Sequence, residues 1–236
     1  MWFRRPLLGT LRRPSPVQWV LTVLGLSILA GGLFAAADPY RQTRQFREVV
    51  ACEHSVGNCF TREQSSIVDR RTWVTTNTDS DGHTTTTTHY EITWRRADGS
   101  RESREVMPNF YEKARPGEPA VLRIWRQEVV AVEVRGGTKW FLPAPGRLLG
   151  FWLFVAYFGF GVLLRGLLVS RRPGWVTLIF GSIGWLLLGS GPVLVTTAAL
   201  AYGLSMEAIL DDLVFGVFAA VVGGIFLINS FEFEKW

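Results

Sequence analysis

Histidine and cysteine are scarce in this chain, three and two among 236 residues. His54, His83 and His89 stand apart, and no His-Glu-x-x-His, Gly-x-Ser-x-Gly or phosphate-cradling glycine loop occurs. The local signatures of zinc hydrolases, serine hydrolases and nucleotide-binding enzymes are therefore missing. The reading is of a non-enzymatic protein with no cofactor and no metal. An Asn-x-Ser/Thr acceptor for N-linked sugar is absent too. Charge is missing from the middle of four long runs, 17–37, 148–169, 175–202 and 209–229; Arg165, Asp211 and Asp212 lie near run ends. Ionisable groups in mid-membrane mark ion or proton paths, and none sits mid-run.

Those runs approach or exceed the ~20 residues that cross a hydrocarbon core as a helix. Each is apolar on every helical face, without the polar stripe a soluble helix keeps for water. Amides in lipid must pair within their own segment, so isolated runs of this kind are expected to be helices. The expected fold is thus integral membrane, α+β. Four transmembrane helices are expected, with a small antiparallel β domain of five to six strands between helices 1 and 2. The remaining pieces are a leader (1–16), the polar segment 38–147, a turn (170–174), a link (203–208) and a tail (230–236).

The net charge of +5 and sequence pI of 9.6 raise the question of nucleic acid. Arg4, Arg5, Arg12 and Arg13 sit in a leader without acids, and Arg165, Arg171 and Arg172 lie around the second inter-run turn. Bases and acids nearly balance within 38–147. The excess therefore flanks the apolar runs, as the positive-inside rule requires, and forms no patch suited to phosphates. Nucleic acid is not an expected partner. The same distribution places both termini in the cytoplasm, 38–147 outside, and the protein in the cell membrane as a multi-pass chain. Ala35-Ala36-Ala37 before Asp38 also resembles a secretory cleavage site. The apolar run exceeds the ~7–15 residues of a signal core, which favours an uncleaved anchor.

Within the polar segment, Pro39–Glu48 reads as a charged entry. Cys52 and Cys59 flank a Gly57-Asn58 turn. Outside the membrane such a pair reads as a disulfide closing a tight loop. His54 as a third metal ligand is the weaker alternative, because no fourth ligand is apparent. From Ser66 onward the residues suit strands. Trp73–Thr78 and Thr84–Trp94 enclose Asp79-Ser80-Asp81-Gly82, and an Asp-Gly pair between β-prone runs signals a hairpin. The turn also mimics the start of a calcium loop, but Thr88 stands where the bidentate glutamate belongs. Arg101–Met107 completes a meander after Asp98-Gly99. Asn109 is expected to cap a helical turn at Phe110–Ala114. Strands Ala120–Arg126 and Val129–Arg135 follow, joined at Gln127-Glu128. Gly136-Gly137 and Pro143–Gly146 read as an exit linker, with Trp140 and Phe141 in an interfacial belt.

The threonine-rich hairpin, the Tyr90–Arg95 strand with Asp98-Gly99, and Tyr111 before Pro116-Gly117-Glu118-Pro119 and Val121–Trp125 carry a resemblance. Together they resemble a widespread bacterial multi-pass membrane-protein family of unknown function. Its members insert a small extracytoplasmic β domain after the first span. The resemblance covers about Phe46 to Arg135 and implies fold only. The cysteine pair and the two extra C-terminal spans depart from the simplest members.

Gly216, Ala220 and Gly224 recur at four-residue intervals, a small-residue ridge suited to helix packing. Gly189–Pro192 suggests a kink in the third run. The expected role is binding or scaffolding. An envelope or membrane protein would be met along a hairpin edge marked by Trp73, Thr84, Thr86, Thr88 and Tyr90. The alternative is a small transporter or channel subunit with its route near Pro192.

Overall fold

The computed structural model describes residues 15–79, 81–168, 175–203 and 206–232. The arginine-rich leader, Ser80, the Arg171-Arg172 turn and the tail with Lys235 lie outside these residues. The chain divides into two compact units, 1–43 with 145–236, and 44–144. The element order is α1 (Pro16–Ser55), β1 (Thr61–Thr78), β2 (Thr84–Arg95), β3 (Arg101–Glu105), α2 (Pro108–Lys113), β4 (Pro119–Trp125), β5 (Glu128–Val134), β6 (Gly137–Trp140), α3 (Ala144–Leu168), α4 (Trp175–Tyr202) and α5 (Met206–Glu232). The protein is α+β, with a single antiparallel sheet of six strands among the described residues.

Helix α1 begins with a reciprocal cap. The Gln18 amide donates to Ser15 Oγ and the Ser15 amide to Gln18 Oε1, with Pro16 at the first helical position. The helix does not end at Ala37 as expected. It continues through Pro39 to Ser55, so the charged entry Pro39–Glu48 is helical. Buried positions recur at three- and four-residue steps through Pro39, Thr43, Phe46, Val50 and Glu53. Arg41, Arg44, Arg47 and Glu48 take the exposed positions. A helical pattern hidden under high charge thus extends the apolar run. Thr43 Oγ1 donates to Pro39 O at 2.8 Å, adding a side-chain bond beside the proline.

Among the described residues, three helices are long and apolar enough to cross a membrane, by length and composition: Pro16–Ser55, Ala144–Leu167 and Ile179–Tyr202. Of α5, the apolar portion among the described residues is the shorter Leu213–Ile228. Glycine lines the seams of this unit. Gly25 meets Leu163, and a Cβ on Gly32 would lie 2.9 Å from Ala156 N. One on Gly159 would lie 2.5 Å from Leu29 N, and one on Gly166 2.7 Å from Thr22 N. These contacts run in opposite directions along α1 and α3, so the two helices are antiparallel. Helices α4 and α5 repeat the device: Gly184 faces Gly223, and Gly191 faces Gly216. Between α3 and α4 the fit is reciprocal. Tyr157 covers Gly189 and Trp185 covers Gly161, with the two rings stacked at 4.8 Å.

The sheet order is β3-β2-β1-β4-β5-β6. Ile67, Ile92, Trp94, Leu122, Val129, Val132 and Val134 form the core with Phe110 and Ala114 from α2. Val130, at the register shift, is also fully buried, as is Ala131 on the other face, where it pairs with Arg123 and Trp140. Phe46 of α1 meets the Phe60 and Trp125 rings at 6.0 and 5.2 Å. The central valines are therefore covered on both faces, which explains their unbroken apolar run.

Several boundaries differ from expectation. The cap of α2 is Met107, without a side-chain bond, and Asn109 lies inside the helix. The β4–β5 turn is Arg126-Gln127, with φ of 51° and 66°. Gly136 is a turn residue and Gly137 opens β6, so the expected linker holds a strand. Trp140 packs on Phe60 at 5.6 Å and Phe141 on Trp94 at 6.0 Å, so both belong to the packing of the sheet unit.

Candidate functional site

The hairpin of β1 and β2 is longer than the rest of the sheet. Strand β4 pairs with β1 only over Thr61–Ser66, and β3 pairs with β2 only over Glu91–Arg95. Beyond those limits, Thr72–Thr78 and Thr84–Tyr90 form a two-stranded ribbon with no flanking strand among the described residues. The register runs without a shift from Asp69↔Thr93 to Thr78↔Thr84. At the tip, Asp79 Oδ1 accepts from the amides of Asp81 and His83 at 3.1 and 2.7 Å. Gly82 supplies the positive φ of 82° that the turn requires. This carboxylate, prominent in the calcium reading, is turned onto its own loop.

Pairing sorts the candidate edge residues onto two faces. Thr84, Thr86, Thr88 and Tyr90 share the face of Ile92, opposite Thr78, Thr76, Val74 and Thr72. Trp73 pairs with His89 and points the other way, because successive side chains alternate. The Trp73 and His89 rings stack at 4.9 Å, and His89 Nδ1 lies 2.7 Å from Glu105 Oε1. Thr72 Oγ1 donates to the Tyr111 hydroxyl at 2.8 Å, which ties the ribbon root to α2. Thr84–Thr88 are all exposed.

Hydrogen bonding fixes which backbone groups face outward. The Asp79 amide donates to His83 O within the hairpin, and Tyr90 O accepts from Val106 N on the outer side. Alternation along an antiparallel ladder then turns the N–H and C=O of Thr84, Thr86 and Thr88 away from β1. These three present a row of donors and acceptors suited to another strand.

A second cluster sits where α1 gives way to β1. Cys52 and Cys59 are joined as a disulfide, and Gly57 and Asn58 adopt left-handed φ of 71° and 69° between them. The loop returns the chain onto Glu53, whose side chain is only 5% exposed. Glu53 Oε2 accepts from the Cys59 and Phe60 amides, and Oε1 from Arg62 at 2.7 Å. Arg123 adds its charge at 3.4 Å. Burial alone would raise the Glu53 pKa. The Arg62 and Cys59 bonds, Arg123 and the Phe60 amide outweigh it and hold the carboxyl below its ordinary value. Sequence reasoning singled out neither Glu53 nor Arg123. Every donor to Glu53 follows it in the chain, and Arg123 arrives only through the β1–β4 pairing. His54, the weaker ligand candidate, is exposed beside the disulfide. No group of three or more His, Cys, Asp or Glu able to hold a metal occurs among the described residues.

The small-residue ridge on α5 keeps Gly216 of the expected set, with Ala219 and Gly223 in place of Ala220 and Gly224. Gly216, Ala219 and Gly223 are buried, and Gly216 and Gly223 meet α4. Ala220 is half-buried, and nothing lies within 4 Å of a Cβ built on Gly224. The reason is period: three- and four-residue steps keep a face toward an antiparallel partner, whereas strict fours drift away. No family model, curated protein or solved structure matches this chain.

Proposed function

We propose that this chain is a membrane-anchored binding or scaffolding protein that docks an envelope partner by strand addition along Thr84–Thr88. The row of outward backbone groups at Thr84, Thr86 and Thr88 carries the reading, because such a row is satisfied by water or by another strand. The anchor is supported by the placement of large apolar side chains. Phe34 is 86% exposed, Phe218 66% and Ile228 64%, while glycines fill the seams. That inverted arrangement suits hydrocarbon outside the helices. On this reading α1, α3, α4 and α5 all span the bilayer, the termini are cytoplasmic, and the sheet unit is extracytoplasmic. The disulfide accords with an oxidising compartment.

A photo-crosslinker placed at Thr88 in intact cells is expected to capture a protein on the outer face. Absence of adducts, with the protein present at normal level, would remove the docking role. A topology reporter fused near Asn77 is expected to be active outside the cytoplasm. Activity inside would overturn the orientation.

A further inference from the structure

The sheet guards some of its edges and leaves one open. Strand β3 is five residues long and carries Arg101, Glu102, Arg104 and Glu105; β6 has four residues, with Lys139 among them. The free side of β1 begins with a register shift at Ile67/Asp69 and then Asp69, Arg70 and Arg71. Short length, charge and bulges are the usual means of preventing unwanted strand pairing. Thr84–Thr88 carries neither charge nor bulge: five exposed, uncharged residues in a ladder without a register shift.

We propose that the occupant of this edge is the same edge of a second copy of the chain, paired antiparallel about Thr86. The inference rests on the docking reading above and names its partner. The run of five threonines is the same in both directions. Antiparallel self-pairing therefore sets Thr86 against Thr86, and Thr84 against Thr88 of the second copy. Parity agrees: all three residues point their backbone groups outward, as a hydrogen-bonded antiparallel pair requires. Every side-chain pair across the seam is threonine on threonine, a favourable cross-strand match without like charges. Such a contact is isologous and closes as a dimer. The β1 edge, Val74-Thr75-Thr76-Asn77-Thr78, does not match itself on reversal. Joining β1 of one copy to β2 of the next would be heterologous and open-ended. One strand pair is a small seam, so the pairing draws on the raised effective concentration of anchored copies.

The test is Thr86→Cys in the full-length chain, oxidised in native membranes and resolved without reductant. Opposed residues in a hydrogen-bonded antiparallel pair have Cα atoms about 5.5 Å apart, within disulfide reach. Thr76→Cys, outward on the β1 edge, is the control. The proposal expects a homodimer at Thr86→Cys at least tenfold more abundant than at Thr76→Cys. It also expects Thr88→Lys, added to Thr86→Cys, to suppress that dimer. Equal dimer at both sites overturns the proposal. Adducts of Thr86→Cys to a different protein overturn self-pairing and leave the docking reading standing. No adduct of either kind overturns both.

Discussion

Most exposed large apolar side chains belong to the helical unit, and most fully buried ones to the sheet unit. Trp94, Ile92 and Leu122 are fully buried in the sheet unit, whereas Phe34, Val214 and Phe218 are exposed on α1 and α5. The helices instead bring backbones together at Gly25, Gly32, Gly159 and Gly166, and at Gly184, Gly191, Gly216 and Gly223. In water, removing bulky apolar surface is what drives packing. Against an apolar surrounding that drive vanishes between helices, and close backbone approach takes its place. On the proposed membrane-anchor reading, the same residue type has opposite value in the two units.

Substitutions at four positions break or sharpen this contrast. The largest effect is expected from Trp94→Ala, which should cost the sheet unit about 3–5 kcal/mol. Hydrogen exchange should speed up in β1, β2 and β4, with α4 and α5 little changed. Trp94 Nε1 is buried without a hydrogen-bond partner among the described residues, so Trp94→Phe should cost far less than its lost area suggests. Gly191→Leu comes next in size. Its side chain would enter the Gly216 backbone, at a cost of about 3 kcal/mol, read as faster exchange in α4 and α5 and a lower detergent melting temperature.

Glu53→Gln should cost about 2 kcal/mol, because Arg62 and Arg123 lose a charged acceptor. The pH dependence follows from the lowered native pKa. The stability from Glu53 is complete above the ordinary glutamate value of 4.5 and is lost as pH falls through the lower native one. The acid limb of a stability–pH curve should therefore be shallower in Glu53→Gln over that window. The smallest effect is expected from Gly224→Leu, within about 0.5 kcal/mol, because open space surrounds the position. A large loss there would show that the two α5 ridges are not distinct.

Much of the fold was legible in the residues. The Asp-Gly turn, the meander, the disulfide and three of the long apolar helices follow from local chemistry. The misses have local causes as well. Arg126, Gln127 and Arg135 adopt left-handed φ without the glycine or asparagine that announces it, so the sequence bounds of β4 and β5 fall a residue off and β6 reads as linker. The helical stripe of Phe46, Val50 and Glu53 was masked by surrounding arginines and by Pro39. Of the candidate edge, the threonines and their exposure were readable. The separation of Trp73 onto the other face depended on the register.

By itself the sequence determined where apolar runs, turns and β-prone stretches fall, because these depend on neighbours a few residues apart. Tertiary structure alone decided which glycines on α5 meet α4, which carboxylate is buried beneath Arg123, and which threonine amides point outward. Each of these depends on the spatial register of segments far apart in the chain, and a shift of one residue reverses a strand's faces or turns a helix's contact face away.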